Sequence, residues 1–576
     1  MPGKAAGVAR VLTDVAGIDK EFDYLVPPAM ADALTVGTEV RLPLGGRRVG
    51  GWVLGLSDQA TVEIALKPIA KLRGAGPEPD LIDLAGWAAW WWTSKRATFL
   101  RSASAPRAVP VTAGRAGAPP GRAPAPSGVV LPAGAGFHVI ERPPADDPTP
   151  FVAAAAQAGP TLVIVPTVAR AEVLAGRLRR AGADAALLPG DWAAARAGRA
   201  GVVVGTRAAA WGPCPGLAAV VVLDAHDEGL TSEGAPTWGA VAVAAERARR
   251  AAVPLYALTP CPTVELLAGG ALTPAPPGRR REGWPITELI DRRHDDPRLG
   301  LWSDRLVRLV RNQDRVACIL NRTGRVRLLG CAACGELARC EVCQAAVTAP
   351  APGHLLCPRC GHERPALCTR CDSTRLKTLR IGVSRAREDL ERLAGRPVGE
   401  VTASTGELPG TDLLIGTSAL LHRLDPRAGV GAVAFVDFDQ DLMAPRVRAA
   451  EQALALAALA GRIVRGRRGR LLIQTRLPDH PVVNAVISAD PTLALDGEED
   501  LRRTLGLPPF GAVAVVHGEA AAGWVSRLEG VDVAGPNNQG RWLVKAGRRA
   551  DLCNALAAEP RPTAGTLRVA VDPTDY

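Results

Sequence analysis

The sequence predicts a multidomain α/β protein whose second half is interrupted by a metal-binding insertion. Apolar strand-like runs alternate with helical stretches after residue 134, and this alternation occurs twice, which is typical of parallel sheets covered by helices. Four Cys-x-x-Cys pairs fall between Cys331 and Cys371, inside the second of these α/β units. A chain of 576 residues also exceeds what one hydrophobic core supports, so several domains are expected.

The eight cysteines of the insertion have the spacing of zinc ligands. Two thiolates two residues apart can take neighbouring corners of a tetrahedron, so two pairs complete one closed site. The longest loop lies between the second and third pairs, which favours a nested pairing and two zinc ions per chain. One predicted site is Cys331, Cys334, Cys368 and Cys371, and the other is Cys340, Cys343, Cys357 and Cys360. His354 and His362 lie near the cysteines in the sequence but are not interpreted as zinc ligands.

Charge and hydropathy narrow the class of protein. A net charge of +11 and a pI near 9.3 favour an acidic partner such as nucleic acid. No apolar run reaches the roughly 20 residues of a membrane span, so no membrane partner is expected. The sequence opens without a secretory signal pattern, which disfavours a disulfide scaffold and predicts a cytoplasmic, nucleoid-associated protein.

The first part of the chain predicts a small β-rich domain followed by helices. Residues 8–56 alternate apolar and polar side chains between turn signals. Within them, Arg47 and Arg48 follow a Gly-Gly turn and could meet a phosphate, although solvated hairpin arginines are an equal alternative. Residues 66–104 are helix-rich, with three tryptophans at helical spacing toward a core and Trp92 pointing elsewhere. A stretch rich in Pro, Ala, Gly and Arg then predicts a linker.

The two α/β units are defined by short apolar runs. In the first unit the predicted strands are 161–165, 202–204, 220–223 and 255–258, with helices at 169–180 and 240–251. In the second unit they are 315–320, 413–415, 432–436 and 470–473. A small mixed domain, with strands at 512–517 and 567–571, ends the chain.

Several motifs give the chain a family resemblance. They are Asn321-Arg-Thr-Gly324, Gly205-Thr-Arg207, Gly416-Thr417, Ala460-Gly-Arg462 followed by Arg465, Gln474-Thr475 and Leu507-Pro-Pro-Phe510. Together with the eight-cysteine insertion, they resemble the bacterial primosomal replication-restart (PriA) family. The run FDYLVP, with Phe22 and Tyr24, and the run GGRRVGGWV, with Arg47 and Arg48, are similar to the family's N-terminal DNA-binding domain, so these four residues are candidate DNA contacts.

The resemblance implies two RecA-like helicase lobes with a two-zinc insertion, a β-rich DNA-binding domain, a winged helix and a small α+β C-terminal domain. The implied boundaries are 1–65 for a domain that binds DNA 3′ ends, 66–110 for the winged helix, 111–133 for the linker, 134–275 for lobe 1, 300–330 with 372–478 for lobe 2, 331–371 for the zinc insertion and 479–576 for the C-terminal domain.

Two motifs depart from the family pattern. Where members have a Gly-rich phosphate loop ending in Gly-Lys-Thr, this chain has residues 138–150, HVIERPPADDPTP, without glycine or lysine. The family's Asp-Glu-Glu-His is replaced by Leu223-Asp-Ala-His-Asp227. Since phosphoryl transfer depends on phosphate and magnesium contacts, the sequence predicts no catalytic residues and no bound ATP. Arg462 and Arg465 are then interpreted as structural or DNA-facing.

The resulting functional prediction is a replication-restart protein without helicase activity of its own. It would recognise stalled or abandoned forks, which are branched DNA, and promote primosome assembly and helicase loading through primosome and replication proteins. Two alternatives stay open: an active ATP-dependent 3′–5′ DNA helicase that uses a degenerate site, and an unrelated zinc-scaffold adaptor.

Overall fold

The structure, a computed structural model, describes residues 7–15, 17–59, 65–111, 128–295, 300–321, 328–378, 383–537 and 539–574. Most of the predicted linker and the Arg-Thr-Gly part of the motif at Asn321 lie outside the described residues. The chain forms an N-terminal domain, two lobes built on parallel sheets, an insertion in the second lobe, and a C-terminal domain. The predicted multidomain α/β fold class is confirmed.

The N-terminal domain is an antiparallel sheet followed by two helices. Alternating apolar side chains, among them Val11, Val40 and Val53, fill its core. The strands run in the order β2-β1-β4-β3-β5. Their bounds are β1 (Val8–Thr13), β2 (Glu21–Leu25), β3 (Glu39–Leu44), β4 (Arg47–Ser57) and β5 (Lys71–Gly74), and the helices are α1 (Pro79–Trp91) and α2 (Arg96–Ala103).

The structure differs from the separate winged-helix domain predicted for residues 66–110. β5 lies in that segment, but it pairs with β3 and completes the N-terminal sheet. Beyond α2, the Ser104 Oγ atom accepts a 2.8 Å hydrogen bond from Trp52 Nε1 of β4. The two helices therefore continue the first domain.

The tryptophans of α1 are arranged differently from the prediction. Trp92 is only 3% exposed and is the most buried of the cluster, whereas Trp90 and Trp91 are half-buried. Trp90 Nε1 donates a 3.0 Å hydrogen bond to Asn554 Oδ1, and the Arg549 guanidinium lies 4.8 Å from the Trp91 ring. This end of α1 thus packs against the C-terminal domain.

Lobe 1 is a seven-stranded parallel sheet in the order β12-β6-β11-β10-β7-β9-β8. Along β10, Val220 and Val222 pack in one core and Val221 in another, so both faces are covered, as the continuous apolar runs predict. The elements are β6 (Gly136–Glu141), α3 (Thr149–Ala155), β7 (Thr161–Ile164), α4 (Val168–Arg180), β8 (Ala185–Leu187), α5 (Trp192–Arg196), β9 (Val202–Gly205), β10 (Ala219–Leu223), α6 (Ala240–Ala251), β11 (Pro254–Thr259), α7 (Val264–Gly269) and β12 (Ala271–Thr273). Helix α8 (Pro277–Gly283) leads to lobe 2.

Lobe 2 is a six-stranded parallel sheet in the order β13-β23-β22-β14-β21-β20. It begins with β13 (Ile286–Asp291), α9 (Asp304–Asn312) and β14 (Val316–Ile319). The insertion follows with β15 (Leu329–Cys331), β16 (Thr348–Ala351), β17 (His354–Leu356), β18 (Glu363–Pro365) and β19 (Leu376–Thr378). The lobe then continues with α10 (Val383–Ala394), β20 (Val398–Val401), β21 (Leu413–Gly416), α11 (Ser418–Arg423), β22 (Ala432–Phe435), α12 (Asp439–Leu442), α13 (Ala449–Ile463), β23 (Arg470–Thr475), α14 (Pro481–Ser488) and α15 (Glu498–Thr504).

Lobe 2 is larger than the prediction at both ends. β13 lies before the predicted start at residue 300, yet it pairs along its whole length with β23. α14 lies after the predicted end at 478, but Val482 and Val486 pack into the lobe's own core. The insertion also exceeds 331–371, because β15 and β19 pair at its base.

The C-terminal domain is a four-stranded antiparallel sheet in the order β25-β26-β24-β27. Its elements are β24 (Ala512–His517), α16 (Ala521–Val525), β25 (Asp532–Ala534), β26 (Trp542–Ala546), α17 (Arg549–Ala558) and β27 (Arg568–Val571). Its buried side chains join those of the N-terminal domain and lobe 1 in one continuous core. Within the described ranges, no helix is long and apolar enough to cross a membrane.

Candidate metal centres, nucleotide cleft and DNA-binding surface

The insertion gathers its eight cysteine sulfurs into two groups of four. Within each group the ligand atoms lie within 4.8 Å of one another, and the groups are Cys331, Cys334, Cys368, Cys371 and Cys340, Cys343, Cys357, Cys360. The Cys334–Cys368 and Cys343–Cys357 sulfur pairs are both 3.5 Å apart. A tetrahedral zinc ion with Zn–S bonds of about 2.3 Å would place its sulfurs about 3.8 Å apart. The donor set and spacing therefore fit zinc.

The four Cys-x-x-Cys turns share one backbone geometry. In each turn the N–H four residues after the first cysteine donates to that cysteine's carbonyl, as in Gly335 to Cys331 at 2.9 Å and Gly361 to Cys357 at 2.9 Å. The residue after the second cysteine always has positive φ, namely Gly335, Gln344, Gly361 and Asp372. A left-handed residue at this place turns the chain sharply and points both sulfurs to the same side. Glycine at two of these positions was a sequence signal that the prediction did not use.

Each group contains a thiol that ionises easily. A hydrogen bond from Cys343 lowers the pKa of the Cys357 thiol to about 5. Burial acts in the opposite direction at Cys331, but hydrogen bonds from the backbone N–H groups of Cys334 and Ala333 lower its pKa to about 6. A thiolate is the form that binds metal. Both groups thus present a ligand in its binding form at neutral pH.

The insertion is fixed against lobe 2 rather than projecting freely. The Ala346 N–H donates a 3.0 Å hydrogen bond to the Met443 carbonyl. Arg359 donates from Nη2 to the Val447 carbonyl at 3.1 Å and lies 3.7 Å from Glu498. These contacts orient both metal groups relative to the sheet of lobe 2.

The loop after β6 is the segment that the sequence analysis compared with a phosphate-binding loop, and most of its backbone donors are already used. The N–H groups of Arg142, Ala145 and Asp146 donate to the carbonyls of Thr259, Gly283 and Pro143 at 2.9, 3.3 and 3.0 Å. The Thr149 N–H donates to the Asp147 carboxylate at 3.0 Å. Three prolines of the loop, residues 143, 144 and 148, have no N–H. The loop therefore has no row of free backbone N–H groups that could surround a phosphate.

The acidic side chains of this loop are paired with arginines. Glu141 is only 4% exposed and accepts two hydrogen bonds from Arg280, at 2.7 and 2.5 Å. Asp146 lies 2.8 Å from Arg279, and Asp147 lies 2.9 Å from Arg177. The loop is therefore held by its own ion pairs.

The motif at the end of β10 carries a carboxylate with two arginine partners. Asp224 is 6% exposed and has a φ of 48°. Arg462 of α13 donates to its two oxygens at 2.6 and 3.2 Å, and the Arg170 guanidinium contacts the same carboxylate. Arg462 Nε also donates to the Pro144 carbonyl at 3.1 Å. Leu223, the residue before Asp224, is buried in the sheet.

His226 of the same motif is held by a neighbouring strand. Its Nδ1 atom lies 2.9 Å from the Thr259 Oγ1 atom at the end of β11. Burial lowers the pKa of His226 to about 4. The ring is therefore neutral near pH 7, and it links the ends of two adjacent strands.

The four candidate DNA contacts lie in different surroundings. Arg47 and Arg48 are exposed at the start of β4, and no ion pair involves either one in the part of the chain that the structure describes. Phe22 packs partly against the N-terminal core. Tyr24 is only 4% exposed and donates its hydroxyl hydrogen to the Pro43 carbonyl at 3.2 Å, so its ring is not available to stack on a base.

A second basic surface lies at the amino end of β23. Arg465, Arg467, Arg468 and Arg470 are all exposed, and none has an ion pair among the described residues. Neighbouring arginines do have acidic partners, since Arg279 pairs with Asp146. We call Arg465–Arg470 the basic turn.

A cavity of about 560 Å³ lies between the insertion and lobe 2, beside the contacts that join them. Four arginines line it, together with His480 and two acidic residues; the arginines are Arg293, Arg339, Arg370 and Arg476. Burial lowers the pKa of His480 to about 4. The cavity therefore carries an excess of positive charge from the arginines alone.

Comparison with known proteins finds similar chains. Residues 10–105 match the family model described as the 3'DNA-binding domain (3'BD) of PriA. The probable replication restart protein PriA of Mycobacterium tuberculosis is 29% identical over 595 aligned positions, which cover 88% of this chain and 86% of that protein. Over most of its length the chain is similar to PriA replication restart proteins. The family resemblance deduced from the motifs is thus confirmed.

Some PriA relatives match over less of their length. The replication restart protein PriA of Haemophilus influenzae is 26% identical, covering 57% of this chain. The match spans 49% of that relative, or about half its length. Among solved structures, that of S. cerevisiae Dbp5 bound to RNA and ADP BeF3 aligns at 10% identity with a TM-score of 0.34, covering 64% of this chain and 89% of that one.

The match to the 3′ DNA-binding domain extends beyond the end proposed for that domain at residue 65. It extends to residue 105 and therefore includes α1 and α2, which the prediction had assigned to a winged helix. The PriA-family domain and the structural unit end at nearly the same place.

Proposed function

We propose that this PriA-family protein recognises stalled or abandoned replication forks and promotes primosome assembly and helicase loading, without helicase activity of its own. The observation that carries the proposal is a contrast within one chain. The match to the 3′ DNA-binding domain covers nearly the whole N-terminal unit, while the loop that would bind phosphate has most of its backbone donors engaged. The unit that resembles a DNA-binding domain is thus distinct from the loop at which a nucleotide would bind, so DNA recognition does not require nucleotide binding.

The N-terminal domain is proposed to bind the 3′ end of a DNA strand at the fork. Arg47 and Arg48 are the best placed of the predicted contacts, because they are exposed and uncompensated. Arginines in this state bind phosphates strongly and without reading sequence. Phe22 and Tyr24 are proposed to shape the sheet beneath them, in keeping with their burial.

The two sulfur groups are proposed to hold one zinc ion each. Sites with four cysteines are closed and structural, since no coordination position remains for a substrate. Zinc would supply folding energy to an insertion that has only a small apolar core of its own. His354 and His362, which fall outside both sulfur groups, would have no part in binding the metal.

The insertion is proposed to be mainly a docking platform for primosome and replication proteins. Two closed metal groups and the contacts to lobe 2 make it a rigid surface rather than a catalytic pocket. The arginine-lined cavity at its base supports an additional, smaller share in DNA binding. Such a protein would act in the cytoplasm, at the nucleoid.

The proposed domains follow the structure rather than the sequence boundaries. They are residues 8–103 for DNA 3′-end binding, 136–283 for lobe 1, 286–504 for lobe 2 with the insertion at 328–378, and 512–571 for the C-terminal domain.

A competition experiment tests the proposal. Labelled fork DNA with a 3′ end at the branch is displaced from the full-length protein by unlabelled forks with or without that end, at one fixed salt concentration. We expect the fork with the 3′ end to compete several-fold better, and both to compete better than linear duplex. Equal competition by all three DNAs would refute fork recognition.

A further inference from the structure

We infer that the cleft between the two lobes is closed by the protein's own side chains, so that the lobes stay together without a nucleotide. In this arrangement Asp224 serves as the counter-ion of Arg462 across the cleft. The inference goes beyond the proposed function, because a fork-binding protein without helicase activity could equally have lobes that move freely.

The first contact across the cleft is the carboxylate at the end of β10. Asp224 belongs to lobe 1, and Arg462 belongs to α13 of lobe 2. Both oxygens of Asp224 accept from Arg462, at 2.6 and 3.2 Å. A bidentate pair of this kind fixes the relative orientation of its two partners as well as their distance.

Arg462 also contacts the loop after β6. Its Nε atom donates to the Pro144 carbonyl at 3.1 Å. Next to it, a Cβ atom added at Gly461 would lie 3.0 Å from Pro285 and 3.5 Å from Pro144, so the helix is in close contact with the loop. A nucleotide entering here would have to displace Arg462 from Asp224 and would find prolines in place of backbone donors.

A second contact across the cleft is centred on Arg502 of α15. Its side chain is only 1% exposed and lies 2.7 Å from Glu265 of lobe 1, 2.8 Å from Glu451 of lobe 2 and 3.1 Å from Glu498. The Glu451 carboxylate also accepts from the Val264 N–H at 3.0 Å. Arg448 adds a 2.8 Å ion pair to Glu265. Two glutamates, one from each lobe, thus share one buried cation.

A third contact lies on α8, between the lobes. Arg280 pairs with Glu141 of lobe 1 at 2.5 Å and with Asp490 of lobe 2 at 2.9 Å. Close by, Cys261 and Trp284, each 1% exposed, are packed into the core of lobe 2. Separating the lobes would therefore expose apolar side chains and break ion pairs at three places together.

Physical chemistry explains why these contacts keep the lobes closed. A ligand shifts a conformational equilibrium only through its different affinity for the two states. Because most backbone donors of the loop after β6 are engaged within the protein, ATP would bind the two states with little difference in affinity. Breaking one partner of a buried ion pair is costly because the other charge is left uncompensated. The closed arrangement is therefore independent of nucleotide.

The test measures the distance between the lobes in the full-length protein. Spin labels are attached at Val173, exposed on α4, and at Arg385, exposed on α10. They are introduced through a ketone-bearing amino acid, because twelve native cysteines exclude thiol chemistry. We expect one narrow distance distribution that is the same with and without Mg-ATP. A broad distribution, or one that shortens when Mg-ATP is added, would overturn the inference.

Two substitutions at Arg462 distinguish loss of its contact with Asp224 from a general loss of stability. Arg462→Gln should add a longer-distance population, and Arg462→Lys should restore most of the native distribution because it keeps the charge. Asp224 still has Arg170 as a partner in both variants, so the lobes themselves should fold. As a matched control, Glu246→Gln removes ion pairs to Arg249 and Arg250 within lobe 1 and should leave the distribution unchanged.

A third variant covers the case in which Arg462→Gln does not fold. Arg448→Gln removes a half-buried partner of Glu265, which keeps Arg502. It should broaden the distribution less than Arg462→Gln. A native-like distribution in both variants would overturn the inference, whereas loss of fork binding by the native protein would count against the proposed function alone.

Discussion

Asp224 of lobe 1 accepts two hydrogen bonds from Arg462 of lobe 2, at 2.6 and 3.2 Å. Arg170 contacts the same carboxylate and completes its neutralisation. The two lobes are therefore joined directly by side chains of the protein itself.

The first prediction concerns metal content. Cys340→Ser should reduce the zinc content from about two ions per chain to about one, because the remaining three thiolates of that group lose their closed geometry. Elemental analysis of the purified protein measures this. The matched control is Cys553→Ser, a buried cysteine outside both groups, which should keep two ions. A native protein with one zinc or fewer would exclude the two-site account.

The second prediction concerns the 3′ end of DNA. Replacing Arg47 and Arg48 together by alanine should weaken the preference for forks that carry a 3′ end several-fold, while binding to linear duplex changes little. The control removes the same charge from exposed arginines of lobe 2, Arg308 and Arg385. Competition assays compare the two variants. If both lose the preference equally, the effect is one of net charge and the assignment to the hairpin fails.

The third prediction concerns the basic turn. Arg467→Ala with Arg468→Ala should lower fork affinity and make log Kd less dependent on log salt, by about one unit of slope for each phosphate that the variant no longer neutralises. Fluorescence anisotropy at four or five salt concentrations gives the slope. The Arg308 and Arg385 double variant again serves as the control. An unchanged slope would mean that the turn is only a solvated surface.

The fourth prediction concerns pH. Burial, together with the nearby Asp437 carboxylate, raises the pKa of Asp439 to about 7. Between pH 4 and 7 the folded state then binds more protons than the unfolded state, so the free energy of unfolding falls as the pH rises through this window. Asp439→Asn cannot ionise, and its Tm should fall less between pH 5 and pH 7.5 than that of the native protein.

A change of 1 kcal/mol in the free energy of unfolding corresponds to about 2–4 °C in Tm for a domain of this size. Asp425→Asn is the control, because Asp425 lies on the same lobe with a pKa that its hydrogen bond from Arg427 lowers. It should keep the native pH slope. If Asp439→Asn also keeps the native slope, the carboxyl is not protonated in the folded state.

Local patterns predicted four of the seven strands of lobe 1 and four of the six strands of lobe 2, with ends that differ by a residue or two. The helix at 240–251, and the strand at 512–517 of the C-terminal domain, have the bounds that the structure shows. Continuous apolar runs identify buried parallel strands because both of their faces are covered. Cysteine spacing similarly indicated which thiols could meet, because short loops limit the possible partners.

Long-range contacts could not be predicted in this way. Asp224 and Arg462 are far apart in sequence, and neither position follows a local rule that names the other. The pairing of β5 with β3 across the proposed boundary at residue 66 could not be predicted either, because β5 is a short edge strand whose partner comes earlier in the chain. Tyr24 was a candidate DNA contact because its run resembles the family's DNA-binding domain, but its burial depends on the whole sheet.

Calorimetric titration of Mg-ATP into the full-length protein, with and without fork DNA, tests whether the cleft between the lobes binds nucleotide. We expect that it does not, because most of the loop donors are engaged and Arg462 is paired with Asp224. The predicted result is no binding heat and no DNA-stimulated hydrolysis in either condition. Micromolar binding that Arg462→Gln abolishes would contradict it.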